Sequence, residues 1–395
     1  MIAELPGGSS RAREDSARQF ELSRSDPRLA ARLAAEFLEQ ARISAQPRLY
    51  GRAESILAPW MARPTVPAPL LVLEADILQQ RHEFTAAIGL LDRVLAQDSR
   101  ADQARLMRAN VRIVTGDYEH ARPDCAWLLG SGEQWIGSVC IAQVLGSTGQ
   151  LERARALLER LMAGVGADPS VGANRSVGAN PFIGANPSVG ADPSGQGQLG
   201  RGPTADILAW TLSVRADLAL RAGSQPEAQD LLTHALSLAP TSDYMRIALA
   251  DVLIEADRLA EAADVLGTAR AGVGVLLRRA IVESRTHAGR MPDSLADLEE
   301  RLHVSAQRGE RTHLREETRL ALEFPRDGAH GRQAALALAR DNFNVQRETE
   351  DIRLFARAVV AARDPAAMAT LTEWLQRSHY QDVVVDQLLR AGQSS

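Results

Sequence analysis

The 395-residue chain is predicted to be all-α, a solenoid of antiparallel helix pairs. Small residues recur at steps of 33 or 34 residues, and the stretches between them follow the 3.6-residue apolar period of helices. No stretch has a convincing strand pattern. Alanine is abundant and aromatic residues make up only 4%, a composition that suits close helix packing better than a β-sandwich.

The recurrence consists of three columns that keep one phase over six copies. Alanine in the first two columns lets crossing helices approach, and the larger residue of the third column fills the neighbouring groove. One helix pair cannot bury its own apolar face, so successive pairs are expected to stack. The columns are Ala41, Ala75, Ala109, Ala142, Ala216 and Ala250; Ala53, Ala87, Ala121, Ala154, Ala228 and Ala262; and Leu57, Leu91, Cys125, Leu158, Leu232 and Leu266.

The copy that begins near residue 209 shows the elements of one unit. A first helix is predicted from about Ala209 to Arg221, followed by a turn at Gly223. A second helix then ends before Pro240, which cannot continue it.

This helix–turn–helix unit resembles the tetratricopeptide repeat over about residues 34–168 and 209–276. The three columns match the eighth, twentieth and twenty-fourth positions of that family, and the turn glycine recurs as Gly116, Gly149 and Gly223. The early tryptophan of the family is replaced in every copy. The resemblance implies a right-handed superhelical solenoid whose first helices line a concave face that binds a protein or peptide.

Five segments are predicted. They are an N-terminal extension, partly disordered, at 1–27; repeats at 28–164; an insertion at 165–203; repeats at 204–276; and degenerate helical hairpins that continue and cap the solenoid at 277–395. A small separate helical bundle is the alternative for the last segment. The insertion contains five hexapeptides, VGADPS VGANRS VGANPF IGANPS VGADPS, whose glycine and proline density predicts a disordered, low-complexity loop.

Composition and motifs argue against several functions. The net charge of −5 argues against nucleic-acid binding, and the absence of lysine excludes a P-loop or a Schiff base. The eight histidines show no ligand spacing, and no GxSxG elbow is present. We therefore expect a non-enzymatic protein without catalytic residues, cofactor or metal, and without membrane insertion. The chain as written is expected to be cytoplasmic; a start site further upstream would favour a periplasmic or exported protein.

The two cysteines are predicted to lie at equal height in one seam between helices. Cys125 belongs to a second helix and Cys140 to the next first helix, and both are almost equidistant from the turn between them. The spacing is compatible with a disulfide, and equally with two small buried thiols.

The register of the resemblance places the partner-binding residues on the concave face. In this family the second, fifth and ninth residues of the first helix point into the groove. Carboxylates there favour a partner segment that bears arginine or lysine. The candidate residues are Asp76, Asn110, Gln143, Trp210, Asp217, Tyr244 and Asp251.

Two other functions stay open. The protein could be an assembly or structural factor for an exported or membrane-associated system. It could also be a ligand-sensing regulator, since a cluster that includes Arg315, Asn342 and Arg347 could hold an anion. The same cluster could equally be an ion-paired surface. The sequence does not indicate an oligomeric state.

Overall fold

The computed structural model describes residues 10–44, 48–163, 203–267, 272–287, 289–325 and 328–393. These residues form twenty helices and no strand, which confirms the predicted all-α class. Residues 1–9 and 164–202, with the hexapeptides, lie outside the described residues. No helix in the described part combines the length and apolar character needed to cross a membrane.

The chain divides into two compact units, residues 1–104 and residues 105–395. The boundary falls within the first turn of one helix, inside the predicted array 28–164. The helices of the first unit are α1 (Ser10–Ser23), α2 (Pro27–Ser44), α3 (Arg48–Met61), α4 (Ala68–Gln80) and α5 (Phe84–Gln97).

From the helix at the boundary onward, the second unit contains five consecutive helix pairs followed by five further helices. The first three pairs are α6 (Asp102–Val114) with α7 (Tyr118–Gly130), α8 (Gln134–Ser147) with α9 (Leu151–Ala163), and α10 (Ala205–Arg221) with α11 (Gln225–Leu238). The fourth and fifth pairs are α12 (Asp243–Glu255) with α13 (Leu259–Leu266) and α14 (Val273–Thr286) with α15 (Asp293–Gln307). The remaining helices are α16 (Leu314–Glu323), α17 (Gly328–Val345), α18 (Thr349–Ala362), α19 (Pro365–Ser378) and α20 (Val383–Gln393).

All eighteen residues of the three alanine and leucine columns are buried, each with at most 2% of its surface exposed. The columns therefore mark where the helices cross and pack, as the spacing predicted. Burial of the alanine side chains keeps the paired helices close within each unit.

The turns between paired helices share one left-handed residue. Gly116, Gly149 and Gly223 have φ of 79°, 77° and 84°, and His82 and Asp257 hold the same place with φ near 60°. After each of them, a backbone N–H donates to a carbonyl of the preceding helix, for example Asp117 N to Arg112 O at 2.7 Å. This is the Schellman end of a helix, which explains the recurring glycine.

The C-terminal helices belong to the same compact unit as the repeats from residue 105 onward. Phe343, Phe355 and Trp374 pack in one apolar cluster with Tyr118 and Cys140 of the repeats. Helix α18 is buried on several sides: the consecutive residues from Asp351 to Ala356, both charged and apolar, are all buried. The C-terminal helices therefore pack directly on the repeats within this unit.

Candidate functional site

The second unit contains a partly open cavity of about 350 Å³, which we call the inner cavity. Its walls come from the first helices of the repeats, α8, α10 and α12, and from residues at the start of α16 and around the start of α18. The cavity therefore lies between the face that the sequence assigned to partner binding and the C-terminal helices.

Arginines bind the carbonyl ends of the first helices and hold this arrangement in place. Arg347 Nη1 donates to Thr115 O, directly after α6, at 2.5 Å, and Arg221 Nη2 donates to Gly146 O at 2.5 Å. Arg353 Nη2 donates to Leu220 O at 3.2 Å. The last carbonyls of a helix have no partner within it and carry partial negative charge, so guanidinium groups are well matched to these positions.

Asp251 forms the main ionic link between repeat helix α12 and later helices. Its carboxylate accepts from Arg278 Nε at 3.0 Å and Nη2 at 2.8 Å, and Arg319 Nη1 lies 2.9 Å away. Glu350 of α18 accepts from the same Arg319 nitrogen at 2.8 Å. The two arginine side chains are only 3% and 5% exposed, so these groups depend on one another for charge compensation.

The C-terminal polar cluster is an internal ion-paired network. The buried Asp351 carboxylate accepts from Arg315 Nε at 2.6 Å and from Asn342 Nδ2 at 2.7 Å. It also accepts from the backbone N–H of Glu348 at 2.9 Å, which closes the capping box at the start of α18. Arg315 also pairs with Glu348. Arg315 and Asn342 are therefore already bound by groups of the chain.

Asp217 also lines the inner cavity, but its nearest arginine does not donate a hydrogen bond to it. Its side chain is 37% exposed, and its ion pair with Arg221 has a separation of 3.8 Å, beyond hydrogen-bond length. Arg221 donates instead to Gly146 O and, at 3.1 Å, to Gln381 O, and its guanidinium lies 4.0 Å from the centre of the Tyr380 ring. The Asp217 carboxylate therefore keeps its capacity to accept hydrogen bonds.

Three tyrosines line the cavity with Asp217. Burial raises the pKa of Tyr118 to about 12, and burial also raises the pKa of Tyr244 and Tyr380. The negative charge of Asp217 adds to the increase in each case. All three phenols are therefore neutral at physiological pH, and the charge of Asp217 acts on each of them.

Four of the seven residues predicted for partner binding come together around the inner cavity: Gln143, Asp217, Tyr244 and Asp251. The other three do not line it. Asp76 is 8% exposed on α4 of the first unit, and Asn110 is half-buried on α6.

Trp210 is 1% exposed and lies in the hydrophobic core, which corrects the expectation that it is a partner-binding residue of the concave face. Helix α10 begins at Ala205, four residues earlier than predicted. Trp210 therefore lies well inside the helix, in line with Val214 and Leu218 at four-residue spacing. The three side chains form an apolar stripe that packs in one cluster with residues of α8.

Cys125 and Cys140 are joined by a disulfide, with their Cα atoms 5.3 Å apart. The bond links α7 to α8, a second helix to the next first helix. Both cysteines are fully buried beside Tyr118 and the aromatic residues of the C-terminal helices.

No sequence pattern singles out Arg221, Glu348 or Tyr380, which complete the cavity. Arg221 ends a helix and resembles an ordinary C-terminal basic residue. Tyr380 follows α19 in a short connection, and only the tertiary packing brings it to α10. Among the described residues, no cluster of histidine, cysteine and carboxylate side chains has the composition of a metal site.

No protein-family model matches the sequence, and no curated protein matches it. Among solved structures, the chain is similar to the APC/C hetero-tetramer Cut9-Hcn1, with 10% identity over 87% of this chain and a TM-score of 0.47. The matched region spans 59% of that longer chain.

Two further solved structures are similar. A tetratricopeptide repeat protein from Parabacteroides merdae ATCC 43184 has 12% identity, covering 83% of this chain and 99% of that one, with a TM-score of 0.37. The P58(IPK) TPR domain has 14% identity, covering 92% and 97%, with a TM-score of 0.24.

The repeat geometry itself defines the fold. Paired helices recur with the 34-residue spacing, the three columns are buried in every copy, and the turns share a left-handed residue. The chain has the tetratricopeptide-repeat fold.

Proposed function

We propose that the protein is a non-enzymatic scaffold that binds a peptide segment of a partner protein at the inner cavity of its second unit. One observation carries the proposal. Residues of three successive first helices, which were selected from sequence register alone, line one cavity together with the C-terminal helices. Solenoids present their extended binding surface on this face.

The size of the cavity limits how a partner can bind. A volume of about 350 Å³ is at the lower end of ligand pockets, which range from roughly 300 to 1,000 Å³. A helix with its side chains is about 10 Å across and would not fit. The partner is therefore expected to insert one or two side chains rather than to lay a helix in the groove.

The charge of the lining favours a basic partner segment. Seven carboxylates and five arginines line the cavity, a formal net charge of −2. Asp251 is compensated by arginines of the chain itself, whereas Asp217 is not hydrogen-bonded by its nearest arginine. A segment with arginine or lysine is complementary to this surface.

Selection from a display library of random 12-residue peptides tests the function. Peptides enriched on the wild-type protein should contain arginine or lysine and should lose binding to Asp217→Asn. Asp230→Asn is the matched control, because Asp230 is exposed on α11 of the same repeat and does not line the cavity. Failure to enrich any peptide, or equal binding to both variants, would refute the proposal.

The disulfide favours action in an oxidising compartment, and we include this in the proposal. Structural disulfides persist in secreted and periplasmic proteins and are rare in the cytosol. Alkylation of thiols in protein taken directly from its native cells, followed by mass spectrometry, tests the point. A fully alkylated pair at Cys125 and Cys140 would contradict it.

A further inference from the structure

We propose that the inner cavity is a pocket for one guanidinium or alkylammonium group, which Asp217 binds among the side chains of Tyr118, Tyr244 and Tyr380. This site rests on the proposed role of the cavity in partner recognition and names the chemical group that is recognised. The same group on a small molecule should bind without any partner protein.

The charge of Asp217 acts on all three tyrosines of the lining, and among the described residues no arginine donates a hydrogen bond to this carboxylate. Asp251 accepts hydrogen bonds from Arg278 and forms an ion pair with Arg319. Glu350 accepts a hydrogen bond from the same Arg319. Glu348 is bound to Arg315. Among the residues that the structure describes, the cation within 4 Å of Asp217 is Arg221, and its guanidinium donates to two backbone carbonyls instead.

The aromatic residues add a second component of recognition. A ring face attracts a cation within about 6 Å of its centre, and the attraction grows where water is excluded. The cavity already contains one example, because the Arg221 guanidinium lies 4.0 Å from the centre of the Tyr380 ring. The Tyr380 hydroxyl donates to Thr349 Oγ1 at 3.0 Å, which holds the ring in this position.

Gln143 supplies a further acceptor on the neighbouring helix. Its Oε1 atom is shielded from solvent and accepts no hydrogen bond among the described residues. Gln143 and Asp217 occupy the same repeat position on α8 and α10, which Arg221 links through Gly146. A side-chain rotation would let Oε1 accept an N–H of a bound guanidinium, whose several donors suit two separate acceptors.

The remaining carboxylates of the lining reinforce the preference for a cation. Asp243, Glu255 and Glu316 also line the cavity. Burial raises the pKa of Asp243 and of Glu255, and the nearby arginines offset this increase only in part. A cationic ligand would stabilise their ionised forms, whereas an anionic ligand would oppose them.

Isothermal titration calorimetry of the full chain with n-butylguanidinium tests the site. The neutral n-butylurea is nearly the same shape and serves as the ligand control. We expect n-butylguanidinium to bind wild type and Asp230→Asn with the same affinity, and to bind Asp217→Asn at least about tenfold more weakly. On wild type, n-butylurea should also bind at least about tenfold more weakly than n-butylguanidinium. Equal binding of the two compounds, or unchanged binding by Asp217→Asn, would overturn the site.

The arms of the experiment separate this site from the proposed scaffold function. If n-butylguanidinium binds through Asp217 but no basic peptide does, the pocket stands and the scaffold function fails. If basic peptides bind and n-butylguanidinium does not, the scaffold stands and the pocket is wrong. Circular dichroism should show that Asp217→Asn is folded; if it is not, the comparison of the two compounds on wild type decides alone.

Discussion

Asp251 and Asp217 occupy the same position in successive repeats, and the structure predicts opposite consequences for their substitution. Asp251 compensates two arginines that are 3% and 5% exposed, whereas Asp217 makes only a long contact with Arg221. Removing one partner of a buried ion pair costs about 3–5 kcal/mol, because a charge stays buried without compensation. Glu350 keeps part of the compensation for Arg319 in this case, so Asp251→Asn should lie near the lower end.

Urea unfolding monitored by circular dichroism measures both variants against wild type. We expect Asp251→Asn to lower the free energy of unfolding by about 3 kcal/mol. Asp217→Asn should lower it by less, about 1 kcal/mol, because the buried Arg221 guanidinium keeps its hydrogen bonds to Gly146 O and Gln381 O when the 3.8 Å ion pair is lost. Equal losses for the two variants would refute the assignment of Asp251 to structure and of Asp217 to binding.

Three further predictions follow from the described contacts. Although burial alone would raise the pKa of Glu350, the charges of Arg319 and Arg278 lower it to about 2. Ionised Glu350 should therefore contribute about 3 kcal/mol to the free energy of unfolding above about pH 4.3, and this contribution should be lost as the pH falls towards 2. If the difference in free energy of unfolding between wild type and Glu350→Gln does not change with pH, this prediction is wrong. Replacing both Cys125 and Cys140 with alanine should lower the free energy of unfolding by about 3 kcal/mol, since the disulfide closes a loop with a sequence separation of 15, and unchanged urea unfolding would show that the bond does not restrain the unfolded chain. Gly149→Ala should be more destabilising than Gly132→Ala, because both residues have positive φ but only at Gly149 would a new Cβ lie 2.8 Å from His379 Cβ; equal thermal shifts would argue against packing of His379 on this turn.

The repeats could be predicted from the sequence because their packing is local and periodic. Each alanine column marks the position where helices cross. Gly116, Gly149 and Gly223 mark turns whose positive φ disfavours residues with a side chain. The same rule fails at His82 and Asp257, where a side chain tolerates the left-handed conformation and no glycine marks the turn.

The candidate site could be predicted only in part. Register alone brought Gln143, Asp217 and Tyr244 to one surface, because they lie on equivalent faces of successive helices. The contribution of Tyr380 and Arg353 depends on long-range packing of α18 and of the connection after α19, which no local pattern encodes. The prediction for Trp210 was wrong because its ring continues the apolar stripe of Val214 and Leu218, which packs with residues of α8 in the core.

The ionic state of Asp251 could not be predicted from register either. Its position indicates a carboxylate in the groove, but the arginines that bind it lie on later helices. Arg278 is 27 residues further along the chain, and Arg319 lies later still. Sequence therefore located the charge and could not show that the chain itself compensates it.

A double-mutant cycle tests most directly whether a partner inserts its cation at Asp217. A basic peptide selected on wild type would be compared with the same peptide carrying citrulline, the neutral isostere, in place of arginine, on both wild type and Asp217→Asn. Direct contact predicts that the second change costs little once the first is made, with a coupling free energy of at least about 1.5 kcal/mol. Losses of affinity that simply add would show that the arginine binds elsewhere and would contradict the inner cavity as the recognition site.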